Sequence, residues 1–130
     1  QELHERRKLT EWLVYSGGNP LDSIESVLHV AKVAKSLNYK QFLFTGYTLE
    51  QIQNLFDEQQ RKQLTFYIDF IKIGGYEPSK RRENCSEQGK HYFFETLNQA
   101  VAKSDKENNS WDIVYSFDSK TNSIFGLFPF

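Results

Sequence analysis

The 130 residues, 38% apolar and 25% charged, suffice for one globular domain and are too apolar for wholesale disorder. Sixteen basic against seventeen acidic side chains give a formal net charge of -1, so no positive excess exists to hold a phosphate backbone and no nucleic-acid partner is expected. One cysteine excludes a disulfide scaffold and a self-contained thiolate metal site, and without a long apolar run or an apolar leader the chain is expected in the cytoplasm rather than in a membrane.

Residues 1–11 read as a charged lead-in. Residues 12–16 form a short apolar run that stops at Gly17-Gly18, the pattern of a buried strand entering a glycine turn. Pro20 disfavours helix at Asn19, Asp22 with Glu25 offers a capping box, and Ile24, Val27, Leu28, Ala31, Ala34 and Leu37 recur at three- and four-residue spacing. A one-sided helix is expected there, with Lys32, Lys35 and Ser36 toward water. A second strand is expected over 41–45, closed by Gly46, and Thr48 with Gln51 forms a capping box before a helix that buries Leu49, Ile52, Leu55 and Phe56. A third strand is expected over 67–73, closed by Gly74-Gly75. Strand, helix, strand, helix, strand is the order of right-handed parallel βαβ units.

Beyond Tyr76 the regularity weakens. Residues 77–90 have no period and read as a loop, with Lys80-Arg81-Arg82 as a solvated basic run and Cys85 as a lone thiol without a neighbouring histidine. A short strand is expected over 91–94, a helix over 95–103 with Leu97, Ala100 and Val101 inward, and a polar connection over 104–110. Residues 111–117 and 123–128 flank a polar loop and suggest an antiparallel hairpin, while the phenylalanine-rich residues 124–130 need cover, either by folding back as an edge strand or from another chain. His4, His29 and His91 are widely separated and suggest no metal site. The expected class is α/β: a βαβαβ core over 12–82 followed by an α+β extension over 83–130.

Ligands of parallel α/β sheets sit where strands end and helices begin. Three such ends are legible: Ser16-Gly17-Gly18-Asn19-Pro20, Thr45-Gly46-Tyr47 and Ile73-Gly74-Gly75-Tyr76. Any one of these glycines alone needs no more than a tight turn to explain it. In order and with the intervening helices, however, the segments Tyr15 to Leu21, Phe44 to Glu50 and Tyr67 to Tyr76 resemble the radical S-adenosylmethionine activating enzymes. The likeness is greatest to the activase of anaerobic ribonucleotide reductase. That family carries a glycine-glycine-acid-proline loop after one strand, Thr-Gly-Tyr after the next, and an acid-to-glycine strand end later.

The resemblance implies a partial radical-SAM-type (βα) sheet. It implies that Ser16, Gly17, Gly18, Asn19 and Pro20 form and shape a loop around the methionyl end of S-adenosylmethionine, with Thr45 and Gly46 on the same rim and Asp69, Lys72 and Gly75 marking the later strand and its mouth. Its cofactors would be S-adenosylmethionine and, in a complete protein, a 4Fe-4S cluster; its partner would be a glycyl-radical enzyme such as anaerobic ribonucleotide reductase. Two departures follow. Asn19 stands where the family has an acid, and the three cluster cysteines are absent, so no catalytic or metal-binding residue is assigned in this chain. Two readings result: the C-terminal portion of an activating protein, inactive alone, or a cluster-free α/β module derived from that scaffold that binds a protein. Either leaves the strand at residues 12–16 on an edge, where pairing with the chain's own C-terminal segment or with a second copy is expected.

Overall fold

The structure, a computed structural model, describes residues 2–75 and 99–116. A short helix α1 (Glu2–Arg6) leads into β1 (Trp12–Tyr15); a 3-10 turn (Pro20–Ser23) runs into α2 (Ile24–Ser36). Then come β2 (Lys40–Phe44), α3 (Leu49–Leu55), α4 (Glu58–Tyr67), β3 (Phe70–Ile73), β4 (Ala100–Asp105) and β5 (Ser110–Ser116). The five strands form one sheet in the order β1-β2-β3-β4-β5. The first three are parallel, with Val14 opposite Phe42 and Phe42 opposite Phe70; β4 runs antiparallel to β3, and β5 antiparallel to β4. The expected α/β class is the architecture observed, and its described antiparallel hairpin joins β4 to β5. Among the described residues β1 is an edge strand.

Alternation along the strands sorts the core into two faces. Leu43, Ile71, Ile73, Ala100 and Ala102 pack with Val27, Leu28 and Ala31 of α2, Ile52 of α3 and Leu64 of α4. Phe42, Phe70, Val101 and Tyr115 form the second cluster, with Trp12, Phe44 and Val114 against it. Helices on one face, and strands laid down in one direction, are what successive right-handed crossovers produce. They bring the C-terminal ends of β1, β2 and β3 to one pole.

A buried amide locks the first crossover. The Gln41 side chain is fully buried; it donates to the Ala31 carbonyl at 3.0 Å and accepts from the Tyr15 hydroxyl at 2.5 Å, so its desolvation is offset by hydrogen bonds. Burial raises the Tyr15 phenol above its ordinary value.

Four elements differ from expectation, each for a local reason. The third strand begins at Phe70 and not at Tyr67, because a second capping box, Asp57 with Gln60, starts α4 and carries helix through Tyr67. The Asp22–Glu25 capping box does not form: Asn19 caps the 3-10 turn instead, and the Asp22 carboxylate accepts the Tyr47 hydroxyl. The helix expected over 95–103 is a strand from Ala100 onward; Ala100, Val101 and Ala102 satisfy helical spacing, but Ala100 and Ala102 face one core cluster and Val101 the other. The connection expected over 104–110 shrinks to four residues, and β5 pairs with β4 through it; the hairpin expected between residues 111–117 and 123–128 has its second arm outside the described residues. Asp105 accepts the Glu107 and Asn108 N–H groups, and Asn109 takes φ +54°, which makes a compact hairpin turn. The expectations for 77–98, including Lys80-Arg81-Arg82, Cys85 and His91, and for 117–130, lie outside the described residues. No helix among the described residues is long and apolar enough to cross a membrane.

Candidate functional site

The three glycine-marked junctions meet at the C-terminal pole. Gly17 and Gly18 take φ +83° and +66°, left-handed values that a side chain strains. Among the described residues no atom beyond the chain neighbours lies within 4 Å of where their Cβ would stand, so backbone conformation and not crowding requires glycine there. Asn19 returns to extended backbone and caps the next turn: its side-chain oxygen accepts the Leu21 N–H at 3.3 Å. Pro20 occupies the first position of that turn, where the missing N–H costs nothing. Ser16, Gly17 and Gly18 are exposed; Asn19 and Pro20 are half-buried.

Thr45 joins this loop to the next. Only 6% exposed, its hydroxyl donates to the Asn19 side-chain oxygen at 2.7 Å and accepts the Tyr47 N–H at 3.1 Å, while its own N–H extends the ladder to the Lys72 carbonyl at 2.9 Å. Gly46 is exposed and touches the third junction: a Cβ on it would lie 3.7 Å from the Gly75 Cα and 3.9 Å from the Asn19 amide nitrogen. The third junction is tied back through the Gly74 N–H, which donates to the Tyr47 carbonyl at 3.0 Å, and the buried Gln99 amide donates to the Gly74 carbonyl at 3.2 Å.

Ser16, Gly17, Gly18, Asn19, Pro20, Thr45 and Gly46 are therefore brought to one mouth, together with Gly75. The other two residues marked on the third strand are not. Lys72 lies within β3 with its ammonium 5.1 Å from the centre of the Phe44 ring, on the sheet's second face. Asp69 precedes β3 at the opposite pole, where its carboxylate accepts the Gln41 N–H at 2.8 Å and fixes the β2–β3 register.

Sequence reasoning placed Tyr47 at a strand end without giving its side chain a role, and it missed Asp22 as part of the rim. The Tyr47 hydroxyl donates to the Asp22 carboxylate, its ring stands edge-on to Phe56 at 6.4 Å, and the bonded carboxylate raises the phenol above its ordinary value. The signal was their positions: Tyr47 directly follows Gly46, and Asp22 sits one turn after Asn19. Gln99 had no such signal, because it arrives from a distant strand.

The polarity of the rim follows from these bonds. The Asn19 oxygen must face inward to receive the Leu21 N–H and the Thr45 hydroxyl. That leaves its NH2 as the group able to meet a ligand, and an NH2 only donates.

Against known families, the one described as 4Fe-4S single cluster domain matches residues 1–101. No curated protein and no solved structure matches the chain. A 4Fe-4S cluster is held by cysteine thiolates, ordinarily four. This sequence has one cysteine, and among the described residues no three His, Cys, Asp or Glu side chains converge as a metal site would require. The residues present do not fit that cluster.

Proposed function

The chain belongs to the 4Fe-4S single cluster domain family, and from that premise we propose that it is a portion of a radical S-adenosylmethionine activating protein whose mouth at the ends of β1, β2 and β3 holds S-adenosylmethionine. The supporting observation is the convergence of Gly17, Gly18, Asn19, Thr45, Gly46 and Gly75, which the sequence spreads over 59 positions, on one rim. Glycines there leave backbone N–H and C=O groups reachable by a ligand.

The rim's own chemistry assigns the ends of the ligand. A carbonyl oxygen of the Ser16–Gly18 stretch accepts the methionyl ammonium, and the Asn19 NH2 donates to the carboxylate. An acid at position 19 would attract the ammonium; the amide reverses that preference. These residues bind and orient. Cleavage of the sulfonium is not assigned to them, because the chain's lone cysteine cannot hold the family's cluster. The partner proposed on the resemblance is a glycyl-radical enzyme of the anaerobic ribonucleotide reductase type. Self-association through the β1 edge is proposed alongside it.

The single-cysteine count favours one second reading, a cluster-free scaffold that binds a protein and has lost the ligand. Calorimetric titration with S-adenosylmethionine separates the two. Saturable heat that disappears in Gly17→Val and weakens in Gly46→Ala supports the ligand site; the second variant has room for its methyl group and controls for folding. Absence of heat from the parent chain leaves only the scaffold.

A further inference from the structure

The pole opposite the glycine rim carries a second concavity. Its volume is about 340 Å³, and Trp12, Lys40, Asp69, Phe70, Lys103 and Lys106 line it. Strand register builds it. Trp12 lies opposite Lys40, and Phe70 opposite Lys103, and all four project from the face that bears the Phe42–Phe70 aromatic cluster. The wall is thus a Trp ring and a Phe ring, 6.0 Å apart and tilted by 40°, flanked by two ammonium groups.

Three lysines against one aspartate leave a charge of +2 (3 − 1) around this space. The negative charge is already committed: Asp69 accepts the Gln41 N–H and lies 3.4 Å from the Lys106 ammonium. Lys106 is committed as well. It donates to the Thr65 and Phe66 carbonyls at the end of α4, at 3.0 and 2.9 Å, and to the Ser104 hydroxyl at 3.2 Å. Burial pulls its ammonium below the usual lysine value; Asp69 opposes that, and the positive charges of Lys35 and Lys103 add to it. Lys40 and Lys103 remain. Both are exposed, neither has a carboxylate within ion-pair distance among the described residues, and Lys40 stands 5.8 Å from the centre of the Trp12 ring.

Two cations without a carboxylate partner among the described residues, beside an aromatic wall and in a space within the usual range for small ligands, describe a definite recognition chemistry. We propose that this cavity binds a small organic anion bearing a flat ring, with the phosphate or carboxylate between Lys40 and Lys103 and the ring against Trp12. This site stands apart from the S-adenosylmethionine rim and does not depend on it.

Trp12 reports directly on the site, and the chain has only one other tryptophan, so Trp111→Phe isolates its fluorescence. That chain is titrated with adenosine monophosphate, phenyl phosphate, benzoate, adenosine and inorganic phosphate. The two aromatic phosphates are expected to change the signal saturably and at least about tenfold more tightly than adenosine or inorganic phosphate. Comparison with benzoate distinguishes a phosphate source from a carboxylate source. Lys40→Gln and Lys103→Gln are each expected to weaken binding by about five- to tenfold with the fold unchanged, and added salt to weaken it further. Lys62→Gln, which alters an exposed lysine paired with Glu58 away from the cavity, is expected to change nothing. The proposal fails if no aromatic anion saturates, if adenosine or inorganic phosphate alone binds as tightly as the aromatic phosphates, if the two lysine variants match the parent, or if only an oligoglutamate peptide binds.

Discussion

Replacing Thr45 by valine keeps the side-chain shape and deletes one hydroxyl, so it isolates the bond that joins the first two loops of the rim. At 6% exposure that hydroxyl makes two hydrogen bonds, one to the Asn19 side chain and one from the Tyr47 N–H. Each is worth about 1 kcal/mol net, and the Tyr47 N–H loses its acceptor, which raises the total to about 2–3 kcal/mol. In urea unfolding followed by circular dichroism this corresponds to a midpoint lower by about 1 M at unchanged slope. Thr45→Ser keeps the hydroxyl and loses one methyl, a loss of about 0.8 kcal/mol. A double-mutant cycle with Asn19→Ala is expected to show coupling of about 1 kcal/mol. If Thr45→Val costs less than Thr45→Ser, or if the cycle shows no coupling, the loops are not joined as described.

Gly17→Ala and Gly18→Ala meet no neighbouring atoms among the described residues, so each is expected to cost the left-handed strain, about 1–2 kcal/mol, with Gly18→Asn milder than Gly18→Ala in thermal melts. Leu64, fully buried between α4 and the sheet, is expected to lose about 2–5 kcal/mol on truncation to alanine, read by the same urea titration. Stability is expected to fall as pH rises above 10. The unfolded Tyr15 phenol ionises there while the buried one holds its proton, so the folded state binds more protons; the contribution is complete below pH 10 and is lost at about 1.4 kcal/mol per pH unit above it. Tyr15→Phe should flatten that alkaline limb, and urea midpoints measured between pH 9 and 11 decide it.

The parallel core was legible because its signals are local and repeated. Each strand is a short apolar run stopped by glycine, and the Thr48–Gln51 capping box formed where the sequence placed it. The rim followed from topology: three parallel strands laid side by side must send their ends to one pole. Illegible parts depended on pairing between distant segments. Nothing near Asp69 announces that its carboxylate receives the Gln41 N–H 28 positions earlier, and Asp22 was drawn from capping its own helix to the phenol of Tyr47. At Ala100–Ala102 two periods fitted three small apolar residues equally well, and pairing with β3 decided between them. The Asp105–Asn109 turn, by contrast, carried a readable signal in its aspartate and paired asparagines, and the polar stretch around it hid the hairpin.

Amide chemical-shift mapping of the isotope-labelled chain with S-adenosylmethionine tests the central claim most directly. Saturable shifts are expected at Gly17, Gly18, Asn19 and Gly46, with Gln41 and Lys103 at the far pole unmoved. Shifts confined to the far pole, or none at any concentration, would contradict a methionyl site on the glycine rim.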